Sequence, residues 1–182
     1  MSFKDTLKEV QKSKDFQEFK KKNPKAKLYS GFFALRKAQG TLVLDAKQVD
    51  YLIEGKRIQS FLLTDLEIKG KEDKLEKPVE NFEALDENIK LDIEDIKKIV
   101  KDELKKQKIT AEPQEIIAIL QRHEGKQIWN LIIVLGDLEL IRLHLDMEGK
   151  IILNKKDNFM DFIRVVKGKK RENLEKMKKA QK

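Results

Sequence analysis

The chain has 182 residues, 40% of them hydrophobic and 40% charged, and its 40 Lys/Arg against 32 Asp/Glu give a net charge of +8. That length supports one domain or two small ones around a sizeable core, and the charged share is well above the usual quarter. Cysteine is absent, which excludes disulfides and thiolate metal sites and makes a reducing compartment the expectation.

The chain starts MSFKDTLKEVQKSKDF, without the apolar h-region of a signal peptide. No apolar run reaches the roughly 18 residues of a membrane-spanning helix. A soluble, cytoplasmic protein is therefore expected. Charge is unevenly spread. Residues 1–27 hold nine Lys against four Asp/Glu, and residues 164–182 hold nine Lys/Arg against two Glu, so the body between is mildly acidic.

In chain order, Phe3, Leu7 and Val10 recur at i, i+4, i+7 and predict a helix. Phe16 and Phe19 continue an apolar stripe out of phase after Ser13, which predicts a kink or a second short helix. Asn23-Pro24 ends it, because the residue before proline avoids the α region. Strands are expected over residues 28–35, 41–53 and 58–68, with turns at Gln39-Gly40 and Glu54-Gly55. Residues 70–90, containing KGKEDKLEKP, read as a charged connecting loop anchored by Phe82, Leu85 and Ile89.

A second helix is predicted over residues 92–107. Asp92 is its N-cap, Asp95 completes a short-armed capping box, and Ile93, Ile96, Val100 and Leu104 form its apolar stripe. Lys101, Lys105, Lys106 and Lys108 suit the helix C-terminal dipole. Strands are then expected over 115–121, 128–135, 138–145 and 151–153, with turns at Glu124-Gly125, Gly136-Asp137 and Glu148-Gly149. In the third of these, Leu138, Leu140, Leu143 and Leu145 are expected to face inward, which requires a bulge near Ile141. Asn158 is read as the cap of a last helix carrying Phe159, Phe162, Ile163 and Val166, followed by a basic tail.

The run over residues 91–153 resembles a PepSY-type domain. Trp129-Asn130 stands at the family's aromatic position, and Asp146-Met147-Glu148-Gly149-Lys150-Ile151-Ile152 stands at its closing Asp-x-x-Gly-hydrophobic turn. Asp50-Tyr51 and Ser60-Phe61 give the first half a looser likeness. The resemblance implies a cystatin-like sheet wrapped on a helix, acting as a binding or regulatory module without catalysis. Members of that family are usually secreted or membrane-anchored.

The expected fold class is thus α+β: a helix followed by an antiparallel β-meander, duplicated into two cystatin-like halves with terminal helices, or else one continuous sheet with helices on one face. The expected division is residues 1–90, residues 91–166 and a basic tail, 167–182.

The sequence contains no Gly-x-Ser-x-Gly elbow, P-loop, Gly-x-Gly-x-x-Gly loop or His-Glu-x-x-His zinc helix. His123 and His144 have no metal-ligand partner at a recognisable spacing, so no cofactor or metal is expected. Two non-enzymatic functions follow. In the first, the sheet receives a peptide or protein partner, with Tyr51, Trp129 and His144 as candidate contacts, although strand alternation favours a core position for Trp129. In the second, Lys167, Lys169, Lys170, Arg171, Lys176, Lys178 and Lys179 bind nucleic acid through their positive charge.

Overall fold

The computed structural model describes residues 2–64, 67–80, 82–136 and 139–158. Two short helices come first, α1 (Phe3–Lys12) and α2 (Lys14–Lys22). Four strands follow: β1 (Lys27–Ala38), β2 (Thr41–Ile53), β3 (Arg57–Leu63) and β4 (Ile68–Lys74). Helix α3 (Ile93–Lys106) then precedes β5 (Pro113–His123), β6 (Lys126–Leu135), β7 (Glu139–Leu145) and β8 (Ile151–Asn158).

The break between α1 and α2 falls on Ser13. Its hydroxyl donates to the Val10 carbonyl at 2.7 Å and accepts from the Phe16 amide at 3.2 Å, so one side chain ends a helix and caps the next. The start of α3 is held as its sequence predicts. Asp92 Oδ1 accepts from the Glu94 and Asp95 amides at 3.0 Å each, and Asp95 Oδ2 accepts from the Asp92 amide at 3.0 Å. At Gln39-Gly40 and Glu124-Gly125 both turn residues have positive φ, the geometry that matches the twist of a two-residue hairpin.

All eight strands form one antiparallel sheet in the order β4-β3-β2-β1-β5-β6-β7-β8. The centre is the β1–β5 pair, running from Gly31↔Leu120 to Arg36↔Glu115. This overturns the expected α+β class with duplicated cystatin-like halves. Strand takes 49% of the described residues and helix 22%, so the fold is mainly β. The two meanders are not separate sheets. A central strand with apolar residues on both faces needs partners on both edges, and β1 and β5 supply each other's second edge.

Three local expectations also change. Residues 68–74, read as strand end and loop, form the edge strand β4, paired with β3 from Arg57↔Lys74 to Leu63↔Ile68. Its charged composition belongs to an exposed sheet edge, where lysine discourages further pairing. In β7 the register runs unbroken from Leu140 to Leu145 against β6, so no bulge lies near Ile141. Ile141, Leu143 and Leu145 join the core while Leu140 faces the opposite side. Asn158, expected as a helix cap, ends β8 opposite Glu139. The helix expected from Phe159 onward lies outside the described residues.

The core lies between the sheet and the three helices, all of which pack on the same face. Phe3 of α1 sits over Phe33 and Trp129, at ring distances of 6.0 and 6.4 Å. Phe16 and Phe19 of α2 sit over Tyr51 and Phe61. Glu103 of α3, 9% exposed, accepts from Asn154 Nδ2 of β8 at 2.8 Å and ties that helix to the far edge. No described helix is long and apolar enough to cross a membrane.

Candidate functional site

Of the three predicted contact residues, the structure buries two. Trp129 is 0% exposed beneath α1, and Tyr51 is 4% exposed beneath α2. Strand alternation puts both on the helix-covered face, so neither meets a ligand unless the helix layer lifts. Each keeps a polar atom without a normal hydrogen bond, Tyr51 Oη and Trp129 Nε1. Burial pushes the Tyr51 hydroxyl up to about 12, with the Gln11 side chain opposing and the Glu87 charge adding to the rise. The candidate basic residues from Lys167 to Lys179 lie outside the described residues.

His144 lies on the opposite face, which no described helix covers. Its ring centroid is 5.9 Å from that of His123, in an edge-to-face arrangement. The pairing comes from sheet register: His144 is opposite Asn130, and His123 closes the neighbouring hairpin. Partial burial first, then the positive charges of His123 and Arg142, hold His144 below its ordinary value. Among the described residues no three His, Asp or Glu side chains converge in a way that could hold a metal.

The face that no described helix covers carries a band of apolar residues along its centre, half-buried apart from the buried Ala34. Phe32 is opposite Ile119, and Ala34 is opposite Ile117, which is opposite Ile132. Val134 extends the band toward β7. A polar cluster flanks it on β1, β2 and β3. The Ser30 hydroxyl donates to Asp50 Oδ2 at 2.5 Å and Gln48 Nε2 donates to Asp50 Oδ1 at 2.7 Å, which satisfies a carboxylate only 8% exposed. Arg142, bonded to Asp157, bounds the band on the other side.

A second surface feature lies on the helix side. A cleft of about 550 Å³ opens between the C-terminal half of α3, the β1–β2 turn and the segment leading into β5. Leu42, Val100, Leu104 and Ile109 form its apolar lining, and Lys37, Lys97, Lys101, Lys105 and Glu112 its charged rim. Sequence reasoning missed this cleft because its walls come from three separated segments. The i, i+4, i+8 spacing of the three α3 lysines was the available signal.

No family model matches the chain, and no curated protein matches it. A solved structure, that of a candidate lipoprotein from Clostridium difficile 630, superposes with a TM-score of 0.51 at 16% identity, covering 79% of this chain and 90% of that one. At that identity the likeness concerns the fold alone.

Proposed function

We propose that this protein is a non-catalytic binding module that holds a protein or peptide partner against the face of its sheet that no described helix covers. The observation that carries this reading is the apolar band of Phe32, Ile117, Ile119, Ile132 and Val134 on a face that no described helix covers. An apolar centre with charged groups only at its margins is the anatomy of an interface core inside a polar rim. Phe32 is the natural anchor, since aromatic side chains contribute much of the binding energy where they are desolvated. The resemblance of the residue 91–153 sequence to a PepSY-type domain points to the same class of role.

The test is a photo-crosslinking residue placed at position 119, with each captured protein purified and titrated by calorimetry. Ile119→Arg together with Ile132→Arg should weaken a true partner at least tenfold, with the circular dichroism of the fold preserved. A partner bound equally well by that variant, or a position-119 probe that captures only what an α3 probe captures, would remove the basis of the proposal.

A further inference from the structure

We propose that the cleft beside α3 is a separate site for a single-chain anionic amphiphile, specifically a free fatty carboxylate. Its floor is apolar and firmly held: Val100 is 1% and Leu104 7% exposed, and Leu42 and Ile109 pack against the core cluster. Above the floor runs a ladder of lysines. Lys97, Lys101 and Lys105 follow one another at four-residue steps, so their Cα atoms are about 6 Å apart along the helix. Lys37 faces them from β1 and is paired with Glu112. Lys97 pairs with Glu94 at 2.8 Å, whereas Lys101 and Lys105 have no ion-pair partner among the described residues.

The charges cannot all be assigned to helix stability. Lysine in the last turn complements the helix dipole, which accounts for Lys105, and Lys97 is paired with Glu94, but Lys101 has neither explanation, since the dipole acts only on the terminal turn. An apolar trough edged by unneutralised cations is complementary to a molecule with an aliphatic body and one negative end. The same dipole orients it. The carbonyl end of α3 repels an anion near Lys105, so the carboxylate belongs at Lys101, which no carboxylate among the described residues neutralises. The chain then runs toward Leu42 and Ile109. The volume of about 550 Å³ falls in the range of small-ligand sites.

Calorimetric titration of the full chain with decanoate, decanol and decyltrimethylammonium, each below its aggregation concentration, tests the site. Decanoate is expected to bind saturably, one per chain, at least tenfold more tightly than either comparator. Lys101→Glu combined with Lys97→Gln should weaken decanoate about tenfold and leave decanol unchanged. Both substitutions are on the helix surface, and methyl NMR of the unsubstituted protein gives an independent readout: the Leu42 and Ile109 methyls should shift with decanoate. Equal affinity for all three compounds, undiminished binding by the variant, or shifts confined to Ile117 and Ile132 would overturn the proposal. Tighter binding of a glutamate-rich peptide that displaces decanoate would overturn the single-chain assignment.

Discussion

Phe3 of α1 packs closely over Gly31, where the sheet leaves no room for a side chain. Gly31 lies in β1 directly beneath α1, on the covered face. A Cβ at this position overlaps Cε2 of Phe3 outright and lies 2.8 Å from Cδ2 and 3.0 Å from Cζ. The ring has little room to retreat, being 1% exposed and wedged edge-to-face against Phe33 and Trp129. Gly31→Ala should therefore destabilise the protein by about 1–3 kcal/mol, the usual penalty for overpacking a filled core, or a Tm drop of roughly 2–12 °C at this chain length. Removing the ring by Phe3→Ala should cost about 3–5 kcal/mol. The decisive variant is the double mutant. With the ring gone, the new methyl has space, and Gly→Ala in an extended strand should be neutral or stabilise by about 0.4–1 kcal/mol through the unfolded state. Urea denaturation of the four proteins measures the coupling, expected to be at least about 1 kcal/mol. If Gly31→Ala costs the same in both backgrounds, within about 0.5 kcal/mol, the steric argument is refuted.

Two further outcomes are expected. His144 has a folded-state value below the ordinary 6.5, so the unfolded chain binds the proton more readily. The resulting stability is present above about pH 6.5 and is lost as pH falls through the folded value. His144→Gln should flatten that part of the stability profile in denaturant titrations at pH 5 to 7.5, and an unchanged slope would remove the effect from this residue. Tyr51→Phe deletes a buried hydroxyl without a normal hydrogen bond and should change stability by no more than about 0.5 kcal/mol. It should also relieve an alkaline loss. The raised tyrosine value makes its contribution complete below pH 10 and lost as pH rises toward about 12. A large cost for the substitution would mean that the hydroxyl has a partner in solution.

Much of the architecture is legible in the residues themselves, because local rules and tertiary packing agree there. The Asp92 cap, the Ser13 break, the glycine turns and the bounds of β2 all follow from side-chain chemistry within a few positions. The β1–β5 seam is not legible in this way. It joins residues far apart, and an apolar strand carries no label for which edge it will meet. β4 escapes for the opposite reason, since its IKGKEDK run has the composition of a loop and is a strand only because β3 offers it an edge. The β7 error is one of parity. Four leucines suggest one inward set, but Ile141 rather than Leu140 takes the core position, and the alternation is then regular. The surfaces proposed for binding were the least legible. The apolar band and the lysine-edged cleft exist only once register and helix placement are fixed, while Tyr51 and Trp129, conspicuous as aromatics, are used to fill the core.

The central seam also bears on how the chain reaches this structure. Gly31 and Leu120 pair although they are about 90 residues apart, and closing so long a loop carries an entropic penalty before any contact compensates it. Every other strand pair joins sequence neighbours, so the hairpins of β1–β4 and β5–β8 can form early and the docking of β1 on β5 comes late. Such non-local pairing slows folding. Until it is complete, two long apolar strands present open edges, and the docking rate governs how long the nascent chain can template association with its neighbours.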